Sequence, residues 1–148
     1  MSVMPSANES ADDASEIWAV LRALFRDHRL RFLTAAGELN LHPAQAGALL
    51  QLHEPLPMHE LAAKLACDKS NVTGLVDRLT ARGLVTREPS ASDRRVRQVM
   101  LTPGGQRARA RLLAEVGAPA RSAMRRLSAE EQRQLLALLR KATETESH

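Results

Sequence analysis

At 148 residues the chain can bury one hydrophobic core and leaves little room for a second independent domain. Ala, Leu and Arg dominate, Tyr is absent, and Trp18, Phe25 and Phe32 are the only aromatic residues, which favours helix over sheet. The 21 basic and 17 acidic side chains give a net charge of +4, a single cysteine excludes an internal disulfide framework, and no apolar run approaches the length of a membrane span, so a soluble, cytoplasmic protein is expected.

The charge is unevenly placed. Residues 1–16 hold Glu9, Asp12, Asp13 and Glu16 and no basic residue, whereas residues 60–111 hold 11 Lys or Arg against 5 Asp or Glu, a local excess of +6 that attracts a polyanion. Taken alone, such an excess describes a solvated basic face. Its placement on a binding motif is what gives it meaning.

Residues 1–12 are small and polar and predict a flexible arm. From Ala14 to Ala36 the residues Ile17, Trp18, Leu21, Leu24, Phe25, His28, Phe32 and Ala35 recur at three and four, which predicts an amphipathic helix roughly 35 Å long. Its aromatic residues stand seven apart on one stripe, either as ordinary core or as a surface for a second copy of the chain. Gly37 is placed to cap this helix, and Pro43 to start the next, which should run to His53. Pro55 and Pro57 force an extended link around Leu56, and a two-turn helix with Leu61, Ala62 and Leu65 on one face follows over His59–Ala66.

Asp68 can cap the next helix. There Val72, Leu75, Val76 and Leu79 fall at helical spacing and must face inward, which leaves Lys69, Ser70, Asn71, Thr73, Gly74, Asp77 and Arg78 on or near the outer face. Arg82 and Gly83 close it. LVTRE reads as a strand, PSASD as a turn, and RRVRQVML as a returning strand with alternating faces, so Asp93, Arg94 and Arg95 lie at the tip of a hairpin. Thr102 and Pro103 open a helix interrupted or kinked by Gly117 and Pro119, and Ser128 with Glu131 is a capping box for a last helix rich in leucine, from Leu135 to Leu139.

Two short helices joined by a turn form a helix-turn-helix, whose second helix fits the major groove of DNA. Ser70, Asn71 and Thr73 are short and polar enough to read base edges, with Asn71 suited to adenine, and Gly74 allows close approach at a cost of about 1 kcal/mol in helix propensity. An arginine at the hairpin tip can enter the adjacent minor groove, where A·T-rich segments concentrate negative potential. A carboxylate at Asp93 can hold the Arg95 guanidinium in one rotamer beforehand, while Arg94 and Arg97 go to phosphates. The expected fold is mainly α, an α+β winged helix-turn-helix over residues 43–102, with a small β-hairpin wing.

The order of these parts, together with LVDRLTARGLVTRE and DRRVRQVMLTPGG, resembles the MarR family of winged-helix transcription regulators over nearly the whole chain. The hairpin tip PSASD departs from the acidic residue and proline often found there. The resemblance implies that residues 68–82 are the recognition helix and that Asp93 and Arg95 match the wing's aspartate and its minor-groove arginine. It further implies a homodimer, with residues 14–37 and 103–148 as dimerisation helices, that represses from a palindromic operator and lets go when a small aromatic or phenolic ligand enters a pocket between those helices and the winged region. His28, Arg31 and His42 are the candidates near that junction.

Other chemistries have less in their favour. Cys67, at the turn before the recognition helix, admits a redox-responsive regulator, but the family's peroxide sensors carry their cysteine early in the first helix, and Cys67 reads better as a small hydrophobe. His53, Glu54, His59 and Glu60 are split by the two prolines, so neither a metal nor another cofactor is expected. A winged-helix adaptor binding an acidic protein partner is the alternative from another class. No nucleophile with a base, phosphate loop or paired acids suggests an enzyme.

Overall fold

The computed structural model describes residues 7–144. In chain order the elements are α1 (Ala7–Glu38), α2 (Pro43–Gln51), β1 (Leu56–Pro57), α3 (Met58–Lys64), α4 (Lys69–Ala81), β2 (Val85–Pro89), β3 (Arg97–Leu101), α5 (Pro103–Met124) and α6 (Ala129–Thr143). The mainly α fold with a small wing is the one the sequence predicts. None of the helices is long and apolar enough to cross a membrane, among the described residues.

Helix α1 has 32 residues and is about 48 Å long. Its start corrects the expected arm: residues 7–12 are helical, and residues 1–6 lie outside the described residues. Its end corrects the expected cap. Gly37 lies inside the helix, and the left-handed residue is Asn40, with φ of 52°. The Asn40 N–H donates to the Gly37 carbonyl at 2.9 Å and the Leu41 N–H to the Ala36 carbonyl at 2.8 Å, the two bonds of a Schellman cap. Asparagine tolerates the left-handed region nearly as well as glycine, and buried Leu41 supplies the apolar contact that closes the motif. Gly83, by contrast, adopts φ of 67° and caps α4 as the sequence suggests.

Helix α2 begins with a capping box. The His42 ring accepts from the Ala44 N–H at 3.2 Å, while the Gln45 side chain accepts from the His42 N–H at 2.9 Å. The extended link around Leu56 becomes a strand, so the sheet has three antiparallel strands in the order β1-β3-β2, with Val99 opposite both Leu56 and Arg87. The third strand covers one edge of the hairpin.

The core lies within the winged region, where Leu49, Leu52, Leu61, Val72, Val76, Leu79, Val85 and Val99 are buried, and Leu112 of α5 completes it. Helix α1 enters that core through its last turns, at Ala35 and Ala36, with half-buried Phe32 packed against it. The start of α5 is locked to the end of α4. Thr102 caps α5 by accepting from the Gly105 N–H at 3.1 Å, and its hydroxyl donates to the Gly83 carbonyl at 2.6 Å. Helix α5 runs unbroken through Gly117 and Pro119, which corrects the expected interruption. Only one intrahelical bond is forfeited at Pro119, the one to Glu115, which lies on the exposed side. Ser128 and Glu131 form both halves of the anticipated capping box at the start of α6.

Candidate nucleic-acid interface

Helix α3, a turn and helix α4 form the helix-turn-helix. Four buried residues, Val72, Leu75, Val76 and Leu79, seat α4 against the core and fix which face looks outward. Lys69, Ser70, Asn71, Thr73 and Arg78 are exposed on that face or at its rim.

Asp68 organises the start of this face. Its carboxylate accepts from the Asn71 N–H at 2.8 Å, the Ser70 hydroxyl at 2.8 Å and the Asn71 side-chain amide at 3.1 Å. Two of the proposed base readers are therefore already engaged in the free protein. The Thr73 hydroxyl donates to the Lys69 carbonyl at 2.8 Å, so its donor is also spent within the helix, and its oxygen as acceptor and its methyl are the remaining recognition groups. Nothing in the chain itself demands glycine at 74, since a Cβ there would meet only the Arg78 guanidinium at 3.9 Å.

The backbone bond from Asn71, followed by the hydroxyl bond from Ser70, holds the Asp68 carboxyl below its ordinary pKa. A carboxylate whose folded pKa is depressed adds stability that is complete above the ordinary carboxylate range and is lost as pH falls through the folded value. Asp68→Ala should therefore be less stable than the parent at neutral pH, and the gap should narrow in acid below the carboxylate range. Denaturant midpoints of both proteins across that pH span check this; a gap independent of pH would show that the carboxylate charge plays no part.

The wing is fastened to the recognition helix by a contact that sequence reading did not anticipate. The Arg87 guanidinium on β2 pairs with Asp77 of α4 at 2.6 Å and donates to the Thr73 carbonyl at 3.4 Å. A helix position and a strand position ten residues apart carry no local signal of such a pair.

At the tip, Asp93 does something other than expected. Its carboxylate accepts from the Arg95 backbone N–H at 2.9 Å, and the Val96 N–H donates to the Asp93 carbonyl at 3.0 Å. It shapes the turn instead of clasping the Arg95 guanidinium, because at this spacing an Asx turn brings the amide to the carboxylate while the long arginine stem leads away. Ser90 is buried; its hydroxyl accepts from the Ser92 N–H at 3.3 Å and further orders the tip. Arg94, Arg95 and Arg97 are exposed, and their guanidinium groups have no ion-pair partner among the described residues. The fold brings Lys69, Arg95 and Arg97 to the rim of one cavity of about 580 Å³ between α3, the turn and the wing base.

The three ligand candidates separate. His28 and Arg31 line a cavity of about 470 Å³ between α1 and α5, with Leu24, Phe25, Val116 and Pro119. His42 lies apart from them, at the cap of α2, beside a different cavity that reaches Asn71 and Arg78. Cys67 is half-buried and packs against the core, the setting of a small hydrophobe, and its N–H closes the end of α3 on the Ala62 carbonyl at 3.1 Å. Among the described residues no three His, Cys, Asp or Glu side chains stand close enough to hold a metal ion.

A helix-turn-helix followed by a two-stranded wing, with β1 completing the sheet, defines a winged helix-turn-helix protein. Residues 48–96 match the model of the MarR family. The chain is 34% identical over 100 residues to the HTH-type transcriptional repressor MdtR of Bacillus subtilis, covering 66% of this chain and 64% of that protein. It is 33% identical over 103 residues to the HTH-type transcriptional repressor NicR of Pseudomonas putida, covering 68% and 65%. Its fold superimposes on the crystal structure of the YusO protein from Bacillus subtilis with a TM-score of 0.68 and 29% identity, covering 95% of this chain and 99% of that one. The chain belongs to the MarR family. The match spans just under two thirds of the length of the curated relatives.

Proposed function

We propose that this protein is a cytoplasmic, sequence-specific repressor of transcription that binds double-stranded DNA as a homodimer on a palindromic operator. The carrying observation is the joining of an exposed recognition-helix start, Lys69 to Thr73, to a wing bearing three unpaired arginines. In this reading Asn71, Ser70 and Thr73 meet base edges, Arg95 enters the minor groove, and Lys69, Arg78, Arg94 and Arg97 neutralise phosphates. Asp93 presents Arg95 by fixing the turn. That the relatives MdtR and NicR are named repressors supports the direction of control.

Pairing of two copies is supported by apolar surface that the chain does not cover. Ile17, Trp18, Val20, Leu24, Phe25 and Leu30 of α1 are each more than half exposed, and Leu136, Leu138 and Leu139 of α6 are 41–64% exposed. Residues 14–37 and 103–148 serve as the dimerisation helices and residues 43–102 as the DNA-binding region. Twofold symmetry would then set half-sites about ten base pairs apart. The cavity holding His28 and Arg31 is the candidate seat of a small aromatic or phenolic effector, with apolar walls for its ring and a cation for its charge.

The test is footprinting on DNA upstream of the protein's own gene, followed by competition at increasing salt. A protected palindrome whose binding weakens with salt yet resists arbitrary duplex is expected. Equal competition by arbitrary duplex would overturn the reading in favour of a basic surface for an acidic partner.

A further inference from the structure

Arg82, at the end of the recognition helix, makes contacts that closing the helix does not require. Its two terminal nitrogens donate to the carbonyls of Asn40 at 2.5 Å and Leu39 at 3.0 Å, more than 40 residues away in sequence. Those carbonyls lie just beyond the last helical residue of α1, at its left-handed turn. Free carbonyls at the negative end of a helix macrodipole favour a cation, and a planar guanidinium can bridge two of them where an ammonium cannot do so with fixed geometry. Arg111 of α5 also comes within 3.9 Å of Glu38, the last residue of α1, as an exposed ion pair.

We infer that Arg82 is a positioning residue that sets the spacing between the two recognition helices. The inference rests on the reading of a DNA-binding homodimer given above. Helix α1 carries the exposed apolar surface proposed to join the copies, and its far end is bonded directly to the helix proposed to read bases. The angle between pairing and reading helices is thus held by a two-point hydrogen bond in addition to packing. One base pair of extra spacing shifts a half-site by about 3.4 Å and turns it by about 35°. A link with the tolerance of a hydrogen bond resists a displacement of that size, whereas apolar contacts alone slide more readily. Half-site identity is left to Lys69–Arg78 and the wing, since the side-chain bonds of Arg82 go to Asn40 and Leu39 instead.

The experiment selects binding sites from a duplex library of random sequence, then measures affinity for duplexes carrying the selected half-sites at the selected spacing and at one base pair more or less. The wild-type chain is expected to prefer one spacing by about tenfold, the scale of one mismatched pair. Arg82→Ala should select the same half-sites but discriminate between spacings by less than about threefold, and Arg82→Lys should fall nearer to alanine than to the parent. If Arg82→Ala keeps the parent's discrimination and merely melts earlier or binds all spacings more weakly, Arg82 is only a helix cap and the inference is overturned. Selection of no sequence, or of lone half-sites, by the wild-type chain would overturn the dimeric DNA reading itself, and the inference with it.

Discussion

Replacing Gly105 with alanine is expected to cost about 3 kcal/mol of stability, at the upper end for overpacking a rigid site. Gly105 is buried in the first turn of α5, and a Cβ there would sit inside the contact radius of the Leu84 carbonyl oxygen, with the carbonyl carbon at 3.0 Å and Leu101 at 3.2 Å. The obstacle is backbone, and that backbone is held: the Leu84 carbonyl accepts from the Thr102 N–H at 3.1 Å, and the neighbouring Gly83 carbonyl from the Thr102 hydroxyl. Relief requires α5 to move away from the end of α4. Thermal unfolding at fixed protein concentration should show a fall of roughly 10 °C for a chain of this size. Gly104→Ala is the control, because its Cβ would make only an ordinary contact at 3.5 Å and gains helix propensity. Equal melting of parent and Gly105→Ala would mean that the two helices are free to separate at this point.

The other large effect is expected at the wing. Arg95→Ala should weaken binding to the operator by about 1–3 kcal/mol, which is about five- to 150-fold, and should relax preference at the minor-groove positions. Since no ion pair among the described residues engages Arg95, removing its guanidinium breaks none in the free protein, and the change in affinity reports the proposed DNA contact. Arg94→Ala and Arg97→Ala should instead weaken all duplexes alike and flatten the salt dependence by about one counterion each. Asp93→Ala should act through the turn, so its effect and that of Arg95→Ala should not add. A footprint unchanged by Arg95→Ala would remove the arginine from the minor groove.

What was legible in the sequence was chiefly what neighbouring residues decide. Asp68, Gly83, Thr102 and Ser128 with Glu131 are end signals whose partners lie within five residues, and each acts as the spacing suggests. The inward face of α4 follows from its own periodicity. The misreadings arose where two local rules competed or where the partner was distant. Glycine seemed the natural stop for α1, yet Gly37 fits inside a helix and Asn40 can take the left-handed turn. Pro119 looked like a break, but a helix survives one lost bond on its solvent side. Asp93 and Arg95 were correctly placed together, while the choice between amide and guanidinium depended on turn geometry that spacing does not fix. Arg82 reads only as the close of its helix and Arg87 as part of a strand, because their partners, the end of α1 and Asp77, become neighbours only through the fold.

The carboxylate at Asp68 gives the proposed reading head an unusual starting condition. The bond to Asp68 uses one of the two N–H groups of the Asn71 amide and fixes its orientation, leaving the other N–H and the carbonyl oxygen to face a base. A base that fits this orientation gains bonds at no loss, whereas one that needs the amide turned must break the bond to Asp68 and leaves a deficit. The same negative charge stands where phosphates would draw near. Such an arrangement lowers the attraction for DNA in general more than for the intended site. A regulator with this helix would therefore spend less of its time on irrelevant stretches of the chromosome, and its selectivity would come from reluctance as much as from grip.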